Sequence, residues 1–219
     1  MLPVVVTYGN LTAANGSSIG TSSAATTSFI PLNVTTVLNA GGAQQRLMIT
    51  SAGNDAGIYF QIIGKNSAGF TVSEFAAGTN ATSTISNLDY TQVISVRGSS
   101  SSTSLVPVAP AGNMTVGVNG TGSSLWNIMN WHVTPTNIEY GCVLQSFNAT
   151  FSIQYTYDDP NNLPAGVNYP QPFNHPTIIN ATASIDGPSN DPITAWRLYI
   201  SGGTGTIRAT GIQAGIGSP

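Results

Sequence analysis

The chain has 219 residues, and five basic against eight acidic side chains leave a net charge of −3. Only 6% of its residues are charged, against about 25% in ordinary soluble domains. No Lys/Arg cluster exists to displace counterions from a phosphate backbone, so no nucleic-acid partner is expected. The 41% hydrophobic content with low net charge excludes disorder, and no apolar run approaches the ~18–20 residues of a membrane span.

Ser, Thr and Asn replace the missing charges and make up about a third of the chain. Their side chains compete for the backbone in helix interiors and favour strands, turns and caps. With Glu, Lys and Arg scarce, the composition predicts an all-β protein, an antiparallel β-sandwich or jelly-roll-like fold.

Residues 1–28 are low in complexity and read as an N-terminal arm that a partner orders and that can be removed with the fold intact. Met1–Val6 lacks a basic region and is too short and weakly apolar for a secretory signal. The eight Asn-x-Ser/Thr sequons are therefore read as compositional chance. From Phe29 onward, short apolar segments alternate with turn signals. Leu47–Thr50 precedes the loop Ser51–Gly57; Ile58–Ile63 and Phe70–Phe75 flank Gly64–Gly69 as a hairpin. Val93–Arg97, the polar loop Gly98–Ser104 and Met114–Val118 complete a first unit, residues 29–122. The Gly-rich stretch Val118–Ser124 marks the boundary.

The second unit, residues 123–219, opens with Trp126, Ile128, Trp131 and His132. Phe147–Tyr157 shows the strictest alternation in the chain. Phe147, Ala149, Phe151, Ile153, Tyr155 and Tyr157 share one face, predicting a half-buried antiparallel strand. Trp196, Leu198 and Ile200 alternate likewise, and Gly211 reads as a bulge in the closing segment. An internal echo sets Gln92–Gly98 and Gly112–Val118 against Trp196–Gly202 and Gly205–Gly211. It predicts two related β-units; one larger jelly roll with an elaborated middle is the competing arrangement.

Asp158, Asp159 and Asn161 place oxygen donors close together after the strongest strand, as a calcium site requires. The same residues also build ordinary Asx turns. Asp186–Asp191 is a second, weaker loop of this type. Cys142 lies in an apolar run and reads as a buried thiol, with no disulfide open to a lone cysteine. His132 and His175 fit neither metal spacing nor a catalytic triad. No phosphate loop, dinucleotide fingerprint or zinc pattern occurs. The chain is thus expected not to be an enzyme and to carry no cofactor, calcium being the one candidate. Trp126, Trp131 and Trp196, with the tyrosines, offer a glycan platform as an alternative to core packing.

A surface of Ser, Thr, Asn and Gly suits a subunit that spends its life against neighbours. The segments Arg46–Gly64, Tyr155–Asn162 and Gly203–Ile216 resemble small β-rich virion proteins of tailed bacteriophages. The resemblance implies a non-enzymatic virion component: a capsid decoration or cement protein, or a tail-associated one. It further implies a homo-oligomer, trimer or dimer, seated on other virion proteins such as the major capsid protein. The alternative from the residues themselves is a receptor- or glycan-binding β-module of adhesin type.

Overall fold

The computed structural model describes residues 3–24, 26–32, 38–39, 43–103, 105–130, 133–146, 148–165, 167 and 169–217. Phe147, Trp131 and His132 lie outside the described residues. The elements in chain order are β1 (Val4–Gly9), β2 (Asn15–Ser23), β3 (Leu47–Ser51), β4 (Tyr59–Lys65), β5 (Thr71–Ala77), β6 (Ser83–Ile85), β7 (Gln92–Ser99) and β8 (Met114–Val118). They continue with β9 (Gly122–Ser123), β10 (Asn127–Ile128), β11 (Val133–Leu144), β12 (Ala149–Thr156), β13 (Phe173–Asn174), β14 (Ile185–Ser189), β15 (Ala195–Gly203) and β16 (Thr206–Gly217). The protein is all-β, and among the described residues no helix occurs.

The chain forms two compact units, one of residues 11–122 and one of residues 1–10 with 123–219. The first is therefore inserted in sequence between β1 and the rest of the second, and they are called here the inserted and the split unit. The arm expected over residues 1–28 is not a separate element. Val4–Gly9 pairs with Gly211–Thr206 in the split unit, and Asn15–Ser23 pairs with β8 in the inserted unit. Small polar residues that looked too poor in apolar surface to order are held by ladder bonds at sheet edges. Removing the first 25 residues would take the opening strand from both units.

In the split unit one sheet has the order β1-β16-β11-β14 and the other β10-β15-β12-β13, with β9 also on β15. In the inserted unit the sheets are β2-β8-β3-β6 and β5-β4-β7. The Ile30 and Leu38 amides donate to the carbonyls of Val96 and Thr91, placing these two residues on the β7 edge that β10 takes on β15. With β9 and β10 counted as one strand along β15, and the Ile30 and Leu38 contacts counted as the second strand of the inserted unit, both units read first–eighth–third–sixth in one sheet and second–seventh–fourth–fifth in the other. That is the strand order of a jelly roll.

The repetition extends to side chains. Gln61 and Arg97 are cross-strand partners in the inserted unit, Arg97 Nε donating to Gln61 Oε1 at 3.4 Å. The Phe29 ring lies 4.7 Å from the guanidinium carbon. In the split unit Arg197 Nε donates to its partner Gln154 Oε1 at 2.9 Å, and Trp126 lies 4.5 Å from the guanidinium. The two units thus carry the same Gln–Arg–aromatic stack on equivalent strands. The echo read from sequence fell on the equivalent strands but in the wrong register: Arg97 corresponds to Arg197, not to Ser201.

Each unit has its own core. In the inserted unit Leu47, Ile49 and Val116 from one sheet join Phe60, Ile62, Val93 and Val96 from the other. In the split unit Phe151, Ile153, Leu198 and Ile200 are fully buried, each contributing about 1.5–3 kcal/mol by removal from water. The β4–β5 hairpin forms as expected, in register from Tyr59–Ala77 to Lys65–Thr71. Its turn is closed by Asn66 Oδ1, which accepts from the Ala68 and Phe70 amides, and by Gly69 at φ +82°.

Two local expectations are corrected. Gly211 is not a bulge: β16 runs in register with β11 from Ile207–Leu144 to Ala214–Asn137, and the irregularity falls between Thr134 and Asn137. A glycine stands there because a Cβ would come within 2.8 Å of Trp196 Cζ2. Nor is β12 buried on one face only. Ser152, Gln154 and Thr156, expected to face water, are buried. Ser152 Oγ accepts from the Asn180 amide, Gln154 holds Arg197, and the Thr156 carbonyl accepts from Thr194 Oγ1.

Candidate functional site

β12 ends at Thr156, and the chain then turns through the acidic loop. The half-buried Asp158 accepts the Gln171 amide on Oδ2 at 2.6 Å, while its carbonyl accepts from Thr194 Oγ1. Asp159 Oδ1 accepts the Asn161 amide at 2.9 Å, an Asx turn. The carboxylates of the proposed calcium ligands Asp158 and Asp159 thus serve the loop backbone, and Asn161 enters through its main chain. Among the described residues no group of three His, Cys, Asp or Glu side chains converges as a metal centre would need. Asp186 lies on β14 opposite Gly141, and the Asp191 carbonyl caps Ile193.

The Cys142 thiol is buried in β11, and burial pushes it up to about 12, so it stays protonated. His175 is fully buried with both ring nitrogens engaged. Nε2 lies 3.1 Å from the Pro188 carbonyl and therefore carries the proton. Nδ1 accepts the Thr177 and Ile178 amides at 3.3 and 3.1 Å. Desolvation holds its pKa below the usual value, against the opposing pull of the Pro188 carbonyl. The ring is a neutral knot tying β13 to β14.

Among the described residues the tryptophans form no platform, Trp131 lying outside them. Trp196 is fully buried and meets Tyr140 edge-on at 5.3 Å, and Trp126 is half-buried over Arg197. The open rings are others. Tyr155, Tyr157 and Phe173 form a triangle: Tyr155 and Phe173 stack at 5.9 Å, Tyr155 and Tyr157 meet edge-on at 5.6 Å, and Tyr157 and Phe173 tilt together at 5.5 Å. Tyr157 is 49% and Phe173 44% exposed. Partial desolvation, a hydrogen bond with the Tyr155 side chain and the Asp191 charge all raise the Tyr157 pKa. Strict alternation assigns Tyr157 to the core face; β12 ends one residue before it, at Thr156, and alternation alone does not mark where a core ends. Phe173 had no sequence signal, because β13 is only two residues long.

A second feature is the outer face of the β1-β16-β11-β14 sheet. Register places Val5, Thr210 and Gly141 in one row, Thr7, Arg208 and Val143 in the next, and Ile212, Glu139 and Pro188 in a third. Val5, Ile212 and Val143 are 55%, 48% and 40% exposed. Shallow depressions flank Gly141, where a Cβ would meet open space. No family model, curated protein or solved structure matches the chain.

Proposed function

We propose that the protein is a non-enzymatic structural subunit of a bacteriophage virion, a decoration or cement protein that reinforces the shell through contacts between subunits. The observation that supports the reading best is the doubled jelly roll in a chain with 6% charged residues. Jelly rolls recur in viral shells, and faces poor in charge lose little on burial against a neighbour. The β1-β16-β11-β14 face supplies such a surface, with exposed apolar Val5, Val143 and Ile212 interspersed, among the described residues, with only three charges, Arg208, Glu139 and Asp186.

Quantitative mass spectrometry of purified particles tests the assignment. A decoration subunit is present in copies comparable to the shell protein, whereas a tail-associated protein is present in a few. Absence from purified particles would refute a virion role.

A further inference from the structure

The aromatic triangle at the end of β12 is more open than packing requires and better supported than a chance exposure. Beneath it the rings continue inward: Tyr155 lies close enough to Tyr140 to raise its pKa, and Tyr140 meets His175 and Trp196 edge-on at 5.5 and 5.3 Å. The seam runs from the core of the split unit to solvent, so the open rings are held in place before any ligand arrives.

We propose that Tyr155, Tyr157 and Phe173 form a binding site for an uncharged pyranose of a surface polysaccharide. The apolar face of the sugar packs on the rings of Tyr157 and Phe173, and its hydroxyls reach the Tyr157 phenol and the carboxylates of Asp191 and Asp158. Charge selects this ligand class. The charges near the rings are acidic: Asp191 acts on Tyr157, and Asp158 follows it in sequence. The basic residues of this unit are engaged elsewhere, Arg197 with Gln154 beneath Trp126 and Arg208 on the other sheet opposite Val143. A phosphate or an acidic sugar would meet repulsion. A wholly apolar partner would desolvate carboxylates and a phenol without giving them hydrogen bonds. A neutral polyol with one apolar face satisfies both the rings and their rim. This inference does not depend on the virion reading, since a sugar site works on a shell subunit or on a free module.

The test is a screen of the full chain on an array of neutral glycans, followed by calorimetry with the best binder and with dextran sulfate. Tyr157→Ala and Phe173→Ala remove rings that are about half exposed, so both variants should stay folded with melting temperatures only a few degrees below the parent. Each should weaken sugar binding about three- to tenfold, as expected for a lost stacking contact, while Tyr157→Phe keeps the ring and loses less. The proposal is overturned if no neutral glycan binds or if the two alanine variants bind as tightly as the parent. Binding confined to dextran sulfate also overturns it. So does a change in oligomeric mass with sugar binding untouched, which would make a second copy the occupant.

Discussion

Replacing His175 with alanine should destabilise the split unit selectively, and the loss should depend on pH in a defined direction. The substitution orphans the buried Ile178 amide, about 1–3 kcal/mol, and removes the bond to the Pro188 carbonyl, about 1 kcal/mol. It also leaves a void beside Tyr140, so the total is about 3–5 kcal/mol at neutral pH. Because the folded-state pKa of His175 lies below its ordinary value, the unfolded chain takes up the proton first. The stability supplied by the neutral ring is therefore present above about pH 6.5 and is lost as pH falls through the folded-state pKa, at up to about 1.4 kcal/mol per pH unit. The cost of His175→Ala should shrink on acidification. All three tryptophans fall at positions 126, 131 and 196, within the split unit, so urea unfolding followed by tryptophan fluorescence reads that unit alone. A cost below about 1 kcal/mol at pH 7.5, or one that does not change between pH 7.5 and 5, would refute the assigned tautomer and its bonds.

The inserted unit should respond to acid in the opposite sense. Glu74 is buried, and desolvation raises its pKa despite bonds from the Asn87 and Leu88 amides and the Tyr90 hydroxyl. Its contribution is present below about pH 4.5 and is lost as pH rises through the folded-state value. Residues 11–122 alone should fold, as read by far-UV circular dichroism, and should gain stability from Glu74 as pH falls through its raised folded-state pKa toward about 4.5. Glu74→Gln should abolish that slope; a fragment without a cooperative transition would contradict the insertion. Gly211→Ala drives a methyl into the rigid, buried Trp196 ring and should cost about 1–3 kcal/mol by tryptophan-monitored unfolding. A neutral effect would show that the ring is not packed there as described.

The all-β class was legible because Ser, Thr and Asn had displaced helix formers and because Ala149, Phe151 and Ile153 alternate cleanly. The insertion was not, since pairing of Val4–Gly9 with the far end of the chain leaves no mark in local sequence. The duplication was half visible. Its strands echoed, but the residues that define the register, Gln61 with Arg97 and Gln154 with Arg197, are polar and scattered, and hydrophobic periodicity passes over them. The candidate site was misplaced for a related reason. Trp196 is large enough to anchor a core and Trp126 is claimed by Arg197, whereas Tyr157 and Phe173 are open only because the sandwich ends between them and Phe151.

A structural subunit of the kind proposed would assemble through the β1-β16-β11-β14 face. The most direct measurement is its mass by light scattering over a range of concentrations, beside Gly141→Arg, which places a long charged side chain in open space at the centre of that face. A defined oligomer, or growth with concentration, that Gly141→Arg reduces to a folded monomer is the predicted result. A parent chain that stays monomeric at every concentration, or a variant that assembles as the parent does, would contradict it.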